Sequence, residues 1–105
     1  MNESDFEARA DALLQQIETA LEKSDADFDF ALISTGVLEI EFSDGSKIIV
    51  NRHVAAQEIW VAARSGGFHF RWDGQLWRNT RNHGELMSVL STLISEQAGE
   101  EIKLC

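Results

Sequence analysis

The chain has 105 residues, 44% of them hydrophobic and including six Phe and three Trp, which fits one folded domain with a single core and excludes a disordered chain. The formal net charge of −9 argues against a nucleic-acid ligand. No apolar run approaches the ~20 residues of a membrane span. The acidic, run-free N-terminus fits neither a secretory leader nor an Arg-rich transit peptide. Cys105, the single cysteine, excludes an intrachain disulfide and a cysteine-based zinc or iron–sulfur site. A cytoplasmic monomer is the default expectation.

The acids are segregated. Glu3, Asp5, Glu7, Asp11, Glu18, Glu22, Asp25, Asp27 and Asp29 face only Arg9 and Lys23, so the first 29 residues carry −7 of the total −9. Such a field attracts cations or a basic protein surface. The segment begins with S-x-x-E at Ser4 and Glu7, a capping-box pattern. Phe6, Ala10, Leu13, Leu14, Ile17, Ala20 and Leu21 then recur at helical spacing and predict an amphipathic helix that ends near Lys23-Ser24-Asp25. Glu7, Asp11, Glu18 and Glu22 fall within about 60° of arc beside that stripe, as a ridge.

After the helix the period becomes 2. Asp25, Asp27 and Asp29 alternate with Ala26, Phe28 and Phe30, which places the three Asp on one side of an extended chain. Strands are predicted over about 28–34, 37–42, 47–52, 58–64, 68–72 and 76–78. Thr35-Gly36, Asp44-Gly45, Ser65-Gly66-Gly67 and Asp73-Gly74 mark turns between them. Connections this short make consecutive strands antiparallel neighbours. A second helix is predicted over about 84–98, capped by Asn82 or His83, stopped by Gly99 and apolar at Leu86, Met87, Leu90, Leu93 and Ile94.

The expected fold is therefore α+β, a two-layer α/β sandwich with two helices on one face of a six-stranded antiparallel sheet in a single domain spanning 1–105. The open face is expected to show Glu39, Glu41, Lys47, Ile49, Asn51, Trp60, Arg64, His69 and Arg71. Trp60 is the odd member: an exposed indole there either anchors a partner or stacks on Arg64 or Arg71.

These residues are similar to a known family. Glu39 to Phe42, Asp44 to Arg52, Ile59 to Ala62 and Ser65 to Phe70 resemble the frataxin signature in its bacterial form, and the likeness extends from the acidic helix to Gln97-Ala98-Gly99-Glu100. Asn51, Arg52, Trp60 and Gly66-Gly67 match its pattern. His53, Ala55 and Glu58 depart from it, standing where the family usually has Gln, Pro and Gln. The resemblance implies the α-β6-α fold, weak surface binding of iron (Fe2+ or Fe3+) by the acidic helix and first strand, and association with the cysteine desulfurase of iron–sulfur cluster assembly. It implies metal contacts at Glu7, Asp11, Glu18, Glu22, Asp25, Asp27 and Asp29, and partner contacts at Glu18, Glu22, Asp25, Asn51, Trp60 and Arg64.

Carboxylates are hard oxygen ligands that suit iron, and equally manganese or calcium. An acidic helix face is also a common solvated surface, although crowding like charges at i,i+4 costs about 0.2–0.5 kcal/mol per pair. His53, His69 and His83 are dispersed, which argues against an enclosed redox site. His83 reads as part of the helix cap and Cys105 as a bystander thiol. Three readings stay open: a non-enzymatic iron-binding adaptor of the desulfurase, a ferroxidase or iron-storage protein that oligomerises with iron, and an iron-independent acidic interaction module.

Overall fold

The computed structural model describes residues 1–24 and 27–104. Asp25, Ala26 and Cys105 lie outside the described residues, and so do the expectations placed on the Asp25 carboxylate and the Cys105 thiol. Helix α1 spans Glu3–Lys23 and is followed by β1 (Phe28–Ser34), β2 (Val37–Phe42), β3 (Lys47–His53), β4 (Glu58–Ala63), β5 (Gly66–Trp72), β6 (Trp77–Asn79) and α2 (Leu86–Ala98). The strands form one antiparallel meander in chain order, β1 to β6.

The expected apolar stripe of α1 is buried at Phe6, Ala10, Leu13, Leu14, Ile17 and Leu21. It packs with the inward residues of the sheet, Leu38, Ile40, Phe42, Ile48, Val50, Ile59, Val61, Phe70 and Trp77, and with Leu86, Leu90 and Ile94 of α2. Both helices therefore cover one face and leave the other open. The tail folds back along α2, where the Ser95 hydroxyl accepts from the Ile102 N–H at 2.8 Å and the Ser91 hydroxyl from the Leu104 N–H at 3.0 Å.

Both helix starts differ from expectation. Asn2, not Ser4, caps α1: its Oδ1 accepts from the Asp5 N–H at 2.8 Å, and Glu3 and Asp5 then lie in the first turn, where carboxylates favour the helix dipole. Glu85 caps α2, its carboxylate accepting from the N–H groups of Met87 at 2.7 Å and Ser88 at 3.2 Å. Asn82 is used in a turn instead, accepting from the Gly84 N–H at 3.0 Å, and His83 takes a left-handed φ of 63°. The turn after β4 is Arg64-Ser65, so β5 begins at Gly66, where the φ of 146° suits glycine.

Arg52 ties the layers together. It lies opposite Ile59, so alternation sends it to the helix face at the end of β3. From there its Nη1 donates to Asp11 Oδ1 at 2.7 Å, and Nη2 lies 3.9 Å from Glu7 Oε2. The side chain crosses Gly36, whose φ is 76° and whose missing Cβ would stand 2.5 Å from Arg52 Nε. The Gly36 carbonyl also accepts from the Arg52 N–H at 2.9 Å. Glycine is thus required twice, for the turn and for the passage of the arginine. Gly36→Ala is expected to cost about 1–3 kcal/mol in urea unfolding; an unchanged midpoint would contradict this packing.

Candidate functional site

The acidic side divides into two halves. Glu7 and Asp11 are held by Arg52, whose side chain is only 13% exposed. About two and three turns beyond Asp11 along α1, Glu18 and Glu22 form no ion pair among the described residues. With Gln15, Thr19, Leu32 and Thr35 they line an open groove of about 640 Å³ between α1 and β1, and the Arg52-paired Asp11 stands at its end. Asp27 is exposed at a bend before β1. Asp29 is exposed on β1 directly opposite Glu41, and therefore on the open face of the sheet rather than beside Glu18 and Glu22. The expected ridge is paired by Arg52 at one end, and Asp29 lies off it on the other face of the sheet. Among the described residues, no three His, Cys, Asp or Glu side chains converge to hold a metal ion.

The open face carries a different construction. Asn51, Trp60 and His69 stand side by side across β3, β4 and β5. Trp60 is half-buried, not an exposed anchor, and it stacks on neither Arg64 nor Arg71. Its indole lies between two imidazoles, with ring centroids 3.9 Å from His53 and 4.6 Å from His69 and planes within 14° and 12° of parallel. Its Nε1 donates at 2.8 Å to Glu58, which is only 7% exposed. Glu58 also accepts from Arg71 Nε at 2.7 Å, and His69 Nδ1 lies 3.4 Å away. Burial pushes the Glu58 carboxyl up, but the hydrogen bonds of Trp60 and Arg71 and the positive charge of Arg71 outweigh it, so the net shift is downward. Arg64 sits apart, in the β4–β5 turn, where its Nη1 donates to Asp44 Oδ2 at 3.0 Å.

The structure thus brings Glu18 and Glu22 together, places Asn51 beside Trp60, and separates Arg64 and Asp29 from both. The roles of Arg52, His53 and Glu58 were not anticipated. Alternation alone puts Glu58 two residues from Trp60 on the same face, which is the signal that points to it. Nothing local marks the bond between Arg52 and Asp11, 41 residues apart in sequence.

The class defined by these features is an α/β sandwich with an acidic first helix and a bare antiparallel sheet face. The family model for the frataxin-like domain matches residues 1–100. The iron–sulfur cluster assembly protein CyaY of Dechloromonas aromatica (strain RCB) is 64% identical over 104 residues, covering 99% of each chain. The CyaY protein of Cupriavidus taiwanensis is 51% identical over 105 residues, covering 97% of this chain and 95% of its own. Among solved structures, frataxin from Psychromonas ingrahamii superposes with a TM-score of 0.92 at 32% identity, covering 100% of this chain and 99% of its own. Trimeric frataxin from the yeast Saccharomyces cerevisiae, complexed with ferrous, gives a TM-score of 0.68 at 24% identity, covering 95% of this chain and 88% of its own. The chain belongs to the frataxin family.

Because the Glu58 pKa is lowered on folding, its stabilisation is present above the ordinary value of 4.5 and is lost as pH falls through the lowered folded value. Glu58→Gln is expected to cost about 1–2 kcal/mol at neutral pH and to flatten the acid limb of a stability-versus-pH curve. A variant as acid-sensitive as the parent would contradict the assignment.

Proposed function

We propose that the chain is a non-enzymatic, iron-responsive adaptor of iron–sulfur cluster assembly that docks its free acidic half on a basic surface of the cysteine desulfurase. One observation carries this reading: Glu18 and Glu22 line an open groove and form no ion pair among the described residues, while Arg52 already pairs with Asp11 and reaches toward Glu7. An unpaired negative surface steers a basic partner and makes association depend on salt. The relatives named as iron–sulfur cluster assembly proteins support the setting, at up to 64% identity over nearly the whole chain. The yeast structure complexed with ferrous shares the fold at 24% identity, and the iron reading here rests on the chemistry of this chain's own groove.

That chemistry is a pair of carboxylates one helical turn apart, with the Gln15 amide and the Thr19 hydroxyl in the same groove. These are hard oxygen donors suited to ferrous or ferric iron. The groove is open, so a bound ion keeps part of its water, affinity is modest and discrimination against manganese or calcium is poor. An ion at Asp11 must first displace a guanidinium at 2.7 Å, so occupancy starts at Glu18 and Glu22. Iron in the groove lowers the negative charge that the partner meets. Iron load therefore tunes docking without redox turnover.

Two experiments test the reading. Joint reversal of Glu18→Lys and Glu22→Lys is expected to weaken binding to purified desulfurase about tenfold or more and to flatten its salt dependence; unaltered affinity would overturn the docking role. In an anaerobic Fe(II) titration followed by amide NMR, signals of residues 14–22 are expected to broaden before those of 5–11, and Arg52→Ala to bring Asp11 into the affected set. Signals unmoved by Fe(II) would instead identify an iron-independent module.

A further inference from the structure

The two ends of the sheet are finished differently. The outer side of β6 is closed by a bridge from Arg78 to Glu85, and the Asn79 N–H donates to the Gly84 carbonyl at 2.8 Å. At the other end β1 pairs with β2 alone, so its second row of main-chain groups has no strand partner among the described residues. Open edges are usually protected by Lys, Pro, a bulge or short length. The seven residues of β1 contain no Lys and no Pro, their one charge, Asp29, lies on the open face, and they pair regularly with β2 from Phe28 to Leu32. The register irregularity comes only after that run, between Leu32 and Ser34.

The edge is also apolar. Leu32 and Ile33 are 51% and 55% exposed. Leu32 lies opposite Leu38, which is fully buried, so Leu32 faces the helix layer, yet it stays half exposed. The intervening space is the groove walled by Leu14, Glu18 and Glu22. A bare strand edge thus borders a groove with an apolar floor and a carboxylate wall.

We propose that β1 accepts a seventh strand: an extended, basic segment of a partner protein, paired main chain to main chain along Phe28–Leu32. Alternate side chains of an added strand enter the groove. Arginine fits there, its aliphatic stem on Leu14 and Leu32 and its guanidinium on the carboxylates of Glu18 and Glu22. A second copy of this chain does not fit, because pairing β1 with itself brings two such carboxylate walls together on chains of net charge −9. The inference rests on reading the acidic side as the docking side, and it adds the mode of docking.

The probe is an acetylated and amidated seven-residue peptide of alternating Arg and Val. Its control has the same charge but is N-methylated at alternate residues, which removes the pairing donors. Bound unmodified peptide is expected to slow hydrogen exchange of the outward β1 amides about tenfold or more, and the control to bind about tenfold more weakly. Leu32→Lys is expected to weaken the unmodified peptide comparably while leaving the unfolding midpoint nearly unchanged, because Leu32 is half exposed. No binding of the Arg-Val peptide, equal binding of the control, or unchanged β1 exchange would overturn strand addition. A concentration-dependent dimer that protects β1 without peptide would overturn it in favour of a second copy. If reversal at Glu18 and Glu22 abolishes desulfurase binding while the control peptide matches the probe, the docking role stands and strand addition falls. If that reversal leaves desulfurase binding intact, the docking role itself falls.

Discussion

Apolar burial holds α1 on the sheet, but burial is non-directional and does not alone select where along the sheet the helix lies. Arg52 supplies the direction. Sent to the helix face by the alternation of β3, it crosses the only kind of residue that leaves room for it and ends on Asp11 and Glu7. The same contact sets the electrostatics. Arg52 pairs with Asp11 and Glu7 and leaves Glu18 and Glu22 without an ion pair among the described residues. One guanidinium therefore joins the two layers and separates the paired carboxylates of the helix from the unpaired ones.

The open face shows a second use of buried charge. Glu58 lies two residues from Trp60 on β4 and faces Arg71 and His69 on β5. A nearly buried carboxylate is tolerated because Trp60 and Arg71 each give it a hydrogen bond and Arg71 adds a positive charge. In return it orients the indole, which then stacks between His53 and His69. The two surfaces are separate: the acidic groove borders β1, and the aromatic stack lies across β3 to β5.

Much of this was legible in sequence because the period is clean. Leu38, Ile40 and Phe42, then Ile48 and Val50, announce one buried face, and Asp44-Gly45 marks the turn between them. The six strands, the two helices and their shared layer follow from that alternation and from short connections. The helix starts were less legible because polar residues compete for them: Asn2 outdid Ser4, and Asn82 served a turn while Glu85 took the cap. Long-range pairings were not legible. No local pattern joins Arg52 to Asp11, and none shows that Trp60 stacks on His53 across β3 and β4. Alternation put Asp29 on one side of its strand but did not say which face of the sheet that side becomes. Strand pairing instead turns Asp29 toward Glu41 on the far face.

The most direct measurement is a double-mutant cycle between Arg52 and Asp11, built from Arg52→Ala, Asp11→Ala and the pair and read by urea unfolding at low salt. The account predicts a favourable coupling of about 1 kcal/mol, carried by a guanidinium that is largely buried beside the helix. Strictly additive losses would show that the contact neither sets the seat of α1 nor partitions its acidic surface.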